Sequence, residues 1–219
     1  MSDAGYSHPL SGLYVILDPT VRPARALINV MRCAVKGGAR LFQYRNKTAS
    51  MREAYPEALA LRTVAAELDV LFIVNDRCDL ALAVDADGVH LGQDDLPYIE
   101  ARGVLGPGKL IGLSTHNAEQ VKEADRLKPA YIGFGPIFKP ASKQDHDPIV
   151  GLDGLRAIRS LTTVPVFAIG GIQREQIRSV VQAGANGAAV ISAVLNAPDV
   201  TQAVQDLIGQ MPRPISPAS

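Results

Sequence analysis

Length, composition and charge are those of an ordinary folded protein, and they argue against a protein that binds nucleic acid or membranes through its net charge. The chain has 219 residues with 22 Lys and Arg against 22 Asp and Glu, so no net field attracts nucleic acid or an anionic membrane surface. Hydrophobic residues make up 47% of the sequence, which is enough to bury a sizeable core. We therefore expect small-molecule partners, with no nucleic acid and no membrane among them, and any anion site must be local.

Short apolar, β-branched runs alternate with longer helix-period segments from about residue 12 to residue 210, as in repeated βα units. The predicted strands are Leu13–Leu17, Arg40–Arg45, Leu71–Val74, Gly88–Leu91, Leu110–Leu113, Ala130–Gly133, Val166–Ile169 and Ala188–Ile191. The helices predicted between and after them include Ala24–Lys36, Met51–Leu68, Asn117–Leu127, Leu152–Ser160, Arg174–Gln182 and Val200–Gln210.

This alternation predicts an α/β fold, a single (β/α)8 TIM barrel. Almost wholly apolar strands are typical of a parallel sheet covered by helices, and eight such units in this length favour closure. An open doubly wound sheet is the alternative, but it would normally carry a glycine-rich turn after the first strand, where this chain has Asp18-Pro19-Thr20. We expect an N-terminal extension at 1–11, the barrel domain at 12–210 and a disordered, proline-rich tail at 211–219.

The cysteines and the amino-terminal segment favour a cytoplasmic location. Cys33 and Cys78 lie in apolar stretches without a partner at metal-ligand spacing, so we expect buried thiols in a reducing compartment. Residues 1–11 lack a basic region followed by an apolar run, and no stretch approaches the roughly 18 apolar residues that span a bilayer. The sequence leaves a homo-oligomer open.

Polar residues follow the second predicted strand, where a barrel of this kind builds its active site. In Gln43-Tyr44-Arg45-Asn46-Lys47, the period of two sends Gln43, Arg45 and Lys47 toward one side and Tyr44 toward the other. Three long donors would then line one wall of a site. A solvated loop with two surface cations is the competing interpretation, but a glutamine inside an apolar strand favours a binding role.

Carboxylates follow the next two strands and suggest a metal site. Asp76 comes directly after the third strand, and Asp94 and Asp95 come shortly after the fourth. Mg2+ usually takes one or two protein carboxylates and completes its octahedron with water and phosphate oxygens, so such a pair is sufficient. Helix capping is an equally good interpretation of each aspartate alone. His90 is interpreted as a packed strand histidine rather than a ligand.

The later strands end in residues suited to phosphate. Gly170-Gly171 after the seventh strand lets the backbone approach an anion, and Ser192 follows the eighth, where this fold commonly binds phosphate. A tight turn and a helix cap are the alternatives. The long segment 135–143 offers Ser142 and Lys143 to a ligand, unless it is a polar loop without that role.

Taken in order, these motifs resemble the thiamine-phosphate synthase family. The resemblance spans residues 12 to about 196 and rests on five segments, which are Gln43-Tyr44-Arg45-Asn46-Lys47, Asn75-Asp76-Arg77, residues 87–95, residues 168–172 and Ile191-Ser192-Ala193. It implies a transferase that joins hydroxymethylpyrimidine diphosphate to a thiazole phosphate, 4-methyl-5-(2-phosphoethyl)thiazole, and yields thiamine phosphate and diphosphate.

The resemblance also implies roles for individual residues. The pyrimidine diphosphate would be bound by Gln43, Arg45, Lys47, Asn75, Ser114 and Lys143. Its Mg2+ would be held by Asp76 and Asp95. The thiazole phosphate would rest on Ser142, Gly171, Ile191 and Ser192. The residues expected to act in catalysis are Arg45, Lys47, Ser114 and Lys143.

The sequence departs from the family pattern in one loop and leaves rival functions open. Where Thr-x-Thr-Lys is usual, this chain has Pro140-Ala141-Ser142-Lys143, so the first hydroxyl is missing and proline supplies no backbone N–H. A thiazole tautomerase-like relative would share the barrel without diphosphate or metal. A non-catalytic phosphate-ligand sensor and a sugar-phosphate isomerase or aldolase are further alternatives.

Overall fold

The computed structural model describes residues 10–23, 26–139 and 148–211. Eight parallel strands close into a barrel in chain order, so the first strand pairs with both the second and the eighth. The strands are β1 Gly12–Leu17, β2 Leu41–Tyr44, β3 Leu71–Asn75, β4 Gly88–Leu91, β5 Leu110–Thr115, β6 Tyr131–Phe134, β7 Val166–Ile169 and β8 Gly187–Val190. The predicted single (β/α)8 barrel is confirmed.

Helices connect the strands and cover the outside of the barrel. They are α1 Leu27–Lys36, α2 Met51–Glu67, α3 Cys78–Ala83, α4 Tyr98–Leu105, α5 Ala118–Leu127, α6 Gly151–Arg159, α7 Ile177–Gln182, α8 Ser192–Leu195 and α9 Val200–Gly209. The predicted helix Arg174–Gln182 begins as a 3-10 turn at Arg174–Gln176, and Asn117 caps α5 through its side chain instead of starting it.

The barrel separates two layers of core. Alternate strand residues point inward, and their buried cluster consists of Tyr14, Ile16, Leu41, Leu71, Ile73, Leu110, Tyr131, Phe167 and Ala189. The intervening residues point outward and pack under the helices in a larger cluster, which includes Val15, Phe42 and Phe72. This alternation explains why each strand is apolar on both faces and decides which strand residues can reach the barrel interior.

Three aromatic rings fill the interior and need glycines beside them. Tyr14, Tyr131 and Phe167 pack edge to face with ring centroids 5.3 to 5.6 Å apart. A Cβ added to Gly112 would overlap the Tyr131 ring, and one added to Gly187 would lie 2.6 Å from Cε1 of Phe167. Each of these two large rings therefore fits inside the barrel because the neighbouring strand has a glycine, and no side chain, at that position.

Several predictions concern the ends of the chain and the cysteines. Residues 1–9 and 212–219 lie outside the described residues, so the N-terminal extension, the tail and the domain boundaries stay predictions. Cys78 is a buried free thiol as expected, whereas Cys33 is only half-buried. In the described ranges, no helix combines the length and apolar character required to cross a membrane.

We expect Gly112→Ala to lower the free energy of unfolding by about 1 to 3 kcal/mol, because the new methyl group overpacks the barrel against Tyr131. Gly103→Ala is the matched control. It lies in α4, is exposed and has open space where a Cβ would stand, so it should raise stability by about 0.5 to 1 kcal/mol. Urea denaturation measures both, and equal effects of the two substitutions would contradict this packing account.

Candidate active site

A cavity of about 280 Å³ opens at the carboxyl ends of the strands. Every strand, or the loop that follows it, contributes to its lining. The predicted site residues in this lining are Gln43, Arg45, Lys47, Asn75, Asp76, Ser114, Gly171, Ile191 and Ser192. Asp95 stands next to the lining residue Gly92, whose backbone N–H donates to Asp95 Oδ2 at 2.6 Å. The predicted Ser142 and Lys143 lie outside the described residues.

The residues at the end of β2 form one wall of the cavity, and their alternation is as predicted. Gln43 is 2% exposed and lines the cavity, and Lys47 follows on the same side. Tyr44 points the other way, where its hydroxyl donates to Glu57 of α2 at 2.7 Å. Lys47 Nζ lies 3.2 Å from Asp76 Oδ2 with more than half of its side chain exposed.

Asp18 anchors Arg45 in that wall. Its carboxylate is 1% exposed, and one oxygen accepts from the backbone N–H and the hydroxyl of Thr20 at 2.9 and 2.6 Å. The other oxygen accepts from Arg45 Nη1. A buried carboxylate requires such partners, and here they fix the guanidinium against the cavity wall. Asp18 was not among the predicted site residues, although it is the first residue after β1 and so lies at the carboxyl end of a strand, where the other site residues were predicted.

The carboxylates of Asp76 and Asp95 come together at the edge of the cavity. Asp76 adopts a positive φ of 63° directly after β3, and its N–H donates to the carbonyl of His90 on β4 at 2.8 Å. Burial raises the pKa of Asp95, and the neighbouring carboxyl of Asp76 raises it further, while the Gly92 N–H and Lys47 oppose the shift. Two acidic groups in this arrangement favour a cation between them.

Helix capping does not account for either aspartate. The cap residue of α3 is Arg77 and that of α4 is Pro97, and neither helix has a side-chain cap hydrogen bond. Within the described ranges, no three His, Cys, Asp or Glu side chains are grouped so that they could hold a metal ion by themselves. A metal ion at Asp76 and Asp95 would therefore need further oxygens from substrate and water, which is the coordination that Mg2+ prefers.

A row of hydrogen bonds crosses the floor of the cavity. Gln43 Nε2 donates to the Tyr14 hydroxyl at 2.7 Å, and the hydroxyls of Tyr14 and Tyr131 lie 2.7 Å apart. The Tyr131 hydroxyl lies 3.2 Å from His90 Nδ1, and His90 Nε2 lies 2.9 Å from Ser114 Oγ. Burial lowers the pKa of His90 to about 4, so its ring is neutral at pH 7. His90 is thus the packed strand histidine that was expected.

The opposite wall is a glycine turn that packs against the loop after β6. Gly170 and Gly171 have positive φ angles of 99° and 62°, and a Cβ on either would stand 2.5 Å from Pro136 Cβ or Lys139 O. The Phe138 N–H also donates to the Gly170 carbonyl at 3.0 Å. The tight turn proposed as an alternative is therefore present, and it lies in the lining of the cavity.

Ile191 and Ser192 complete this wall at the start of α8. Ile191 is the cap residue of that helix and Ser192 is its first residue, so Ser192 is not the helix cap that the alternative interpretation supposed. His116, in the loop after β5, also lines the cavity, and its Nδ1 lies 2.7 Å from the Gly135 carbonyl. A neutral or protonated imidazole donates its Nδ1–H in that position.

Known proteins resemble this chain over most of its length. A family model described as thiamine monophosphate synthase matches residues 13–194. The thiamine-phosphate synthase of Chloroflexus aurantiacus is 48% identical over 195 residues, which cover 89% of this chain and 90% of that protein. That of Syntrophomonas wolfei is 45% identical over 188 residues, which cover 86% of this chain and 90% of that protein.

A solved structure shares the fold as well as the sequence pattern. Thiamine phosphate pyrophosphorylase from Pyrococcus furiosus superimposes with a TM-score of 0.82 at 41% identity, covering 91% of this chain and 94% of that one. The motifs that suggested a family are thus joined by a similarity over most of the sequence and by a similarity of the barrel. This chain belongs to the thiamine monophosphate synthase family.

Proposed function

We propose that this chain joins hydroxymethylpyrimidine diphosphate to thiazole phosphate with the help of Mg2+, releasing diphosphate and forming thiamine phosphate. The observation that carries the proposal is the charged wall of the cavity. There, Lys47 lies beside Asp76, whose carboxyl adjoins that of Asp95, and Arg45 lines the same cavity, held by Asp18. Two cations and a carboxylate pair offer a diphosphate both direct donors and a place for its metal ion.

Arg45 and Lys47 would stabilise the departing diphosphate. Arg45 is held in place by Asp18, so its charge is oriented before the substrate binds. Lys47 is paired with Asp76 but is largely exposed, and it would turn to the diphosphate once the carboxylate charge is neutralised. Bound Mg2+ would neutralise negative charge that develops on the leaving group and would orient it.

The proposed reaction needs no protein nucleophile. Diphosphate leaves the carbon attached to the electron-rich aminopyrimidine, and the thiazole nitrogen then bonds to that carbon. We propose that ionisation comes first, since the ring can carry the positive charge. Gln43, Asn75 and Ser114 line the cavity where the pyrimidine would lie, and Lys143 would join them from outside the described residues.

The thiazole phosphate would bind at the opposite wall. Gly171, Ile191 and Ser192 line the cavity after β7 and β8, which is the common phosphate site of this fold. Ser142 would contribute from the loop after β6, and it lies with Pro140 outside the described residues. The effect of Pro140 on thiazole phosphate affinity therefore stays a prediction, as do a cytoplasmic location and a homo-oligomer.

Incubation with both phosphorylated substrates, with and without Mg2+, tests the proposal. We expect thiamine phosphate and diphosphate in equal amounts, and only when Mg2+ is present. Binding of both substrates without product would instead support the non-catalytic sensor. Conversion of the thiazole phosphate alone, without metal, would support the tautomerase, although the relatives named thiamine-phosphate synthase favour the first outcome.

We predict that Asp95→Asn raises thermal stability in metal-free buffer at pH 7 and lowers Mg2+-dependent turnover by more than about tenfold. The pKa of Asp95 is raised in the folded protein, so its ionised form destabilises the fold above that pKa. The gain should disappear below about pH 4, where the carboxyl is protonated in both states. Thermal unfolding in EDTA and a Mg2+ titration measure the two effects.

Asp94→Asn is the matched control for this experiment, because Asp94 is the exposed neighbour of Asp95 in the same loop. It should change neither the metal-free stability nor the response to Mg2+. If Asp95→Asn keeps the wild-type dependence on Mg2+, the proposed metal site is wrong.

We predict that Asp18→Asn lowers kcat/KM for the pyrimidine diphosphate by about 10- to 100-fold. An amide can still accept from Thr20, but it loses the charge that holds Arg45, and a hydrogen bond to a charged group contributes about 1.5 to 3 kcal/mol. Asp79→Asn is the control, since it removes the charge of Asp79 from a solvent-exposed ion pair with Arg77. Steady-state kinetics decide, and a loss of less than twofold in Asp18→Asn would refute the anchoring role.

A further inference from the structure

Three buried side chains on the cavity floor, Tyr14, Tyr131 and His90, have no role in the function proposed above. We propose that they form a directional hydrogen-bond relay from Gln43 to Ser114, which leaves the Ser114 hydroxyl to donate a hydrogen bond to the pyrimidine ring. The three would then be positioning residues that act through Ser114. This inference rests on the proposed function and names how its site recognises the ring.

The direction of the relay follows from the donors available. The Gln43 amide N–H can only donate, so the Tyr14 oxygen accepts it. Within the described part of the chain, the Tyr131 oxygen lies 2.7 Å from the Tyr14 oxygen and accepts the Tyr14 hydrogen. The Tyr131 hydrogen is then left for His90 Nδ1.

Histidine completes the relay because a neutral ring carries one hydrogen. If Nδ1 accepts from Tyr131, the hydrogen lies on Nε2 and is donated to Ser114 Oγ at 2.9 Å. Burial lowers the pKa of His90 and raises those of Tyr14 and Tyr131, so all three groups are uncharged at pH 7. Ser114 accepts from His90 and keeps its own hydrogen for a ligand.

Packing holds the relay in this orientation. The rings of His90 and Tyr131 are stacked with centroids 5.5 Å apart and planes 21° apart. Gly133 faces the His90 ring, and a Cβ there would stand 3.3 Å from Cε1, which is tighter than ordinary contact. Gly112 makes room for the Tyr131 ring in the same way. The His90 ring, which accepts one hydrogen bond and donates the next, therefore has little freedom to turn.

The two ends of the relay present opposite hydrogen-bonding groups to the cavity. Gln43 uses an N–H on Tyr14 and retains its amide oxygen as an acceptor, while Ser114 retains a hydrogen as a donor. Both residues line the cavity. An aminopyrimidine has amino N–H donors and ring-nitrogen acceptors, so its edge is complementary to such a pair. The relay would thereby select a neutral ring with a ring nitrogen facing Ser114.

The tautomer of His90 tests the direction without any substrate. In the full chain labelled with 15N-histidine, long-range proton–nitrogen correlation spectra should show His90 neutral with its hydrogen on Nε2 at pH 7. His90→Gln identifies its signals among those of the four histidines. Hydrogen on Nδ1 in the wild-type protein would overturn the proposal, even if thiamine phosphate is formed.

Tyr131→Phe tests the action through Ser114. We expect loss of the Tyr131 hydroxyl to shift the His90 hydrogen toward Nδ1, since Ser114 can then donate to Nε2. Calorimetry should show about tenfold weaker binding of hydroxymethylpyrimidine diphosphate, the value of one hydrogen bond of about 1.4 kcal/mol. Tyr44→Phe is the control, because its hydroxyl bonds Glu57 outside the barrel, and it should leave both the tautomer and the affinity unchanged.

A double-mutant cycle distinguishes the relay from simple damage to the core. If Tyr131 acts through Ser114, then Tyr131→Phe should weaken binding no further in a Ser114→Ala background. Additive losses, or an unchanged tautomer in Tyr131→Phe, would overturn the proposal. Because these are binding and spectroscopic readouts, a failure to form thiamine phosphate would reject the proposed function while the direction of the relay is still decided.

Discussion

Closure of the barrel is the constraint on which the rest of this structure depends. It brings the ends of eight strands, from Leu17 of β1 to Val190 of β8, around one cavity, and it forces alternate strand residues into a narrow interior. Large rings can occupy that interior only where neighbouring strands have no side chain, as at Gly112 and Gly187. The floor of the site is therefore a packed layer of the core, and its polar atoms are as fixed as the rings that carry them.

Charge is distributed unevenly above that floor. Asp18 is buried and satisfied by Thr20 and Arg45, so it organises the wall without adding free charge. Asp76 and Asp95 are different, because the cation beside them, Lys47, is largely exposed, and burial and the Asp76 carboxyl raise the pKa of Asp95. Like charges held together in a folded protein cost stability, and a bound cation relieves that cost. The strain of this pair is thus an argument for a metal site that is independent of family resemblance.

Sequence reasoning predicted the features that periodicity and position determine. Eight apolar runs predicted eight strands, and a period of two placed Gln43 and Tyr44 on opposite faces, as observed. The list of predicted helices lacked α3, α4 and α8, because six, eight and four residues are too few to establish a helical period. Tyr14 and Tyr131 fall within predicted strands and are buried in the core, but the sequence did not indicate that their hydroxyls would form the floor of the cavity. In the sequence, an aspartate after a strand is equally consistent with helix capping and with metal binding. Only the contacts of Asp76 and Asp95 in the folded chain distinguish the two interpretations.

The neutrality of the floor bears on the proposed reaction. An ionisation-first path places positive charge on the pyrimidine while diphosphate departs, and a cation beneath the ring would oppose that step. Burial lowers the pKa of His90 to about 4, so the imidazole nearest Ser114 is uncharged at pH 7. The fixed positive charge of Arg45 lies instead on the wall where negative charge would develop. In the proposed reaction, a neutral floor would not repel the positive charge on the pyrimidine, and the cationic wall would attract the departing diphosphate. Burial of His90 keeps its ring uncharged and so contributes to this arrangement.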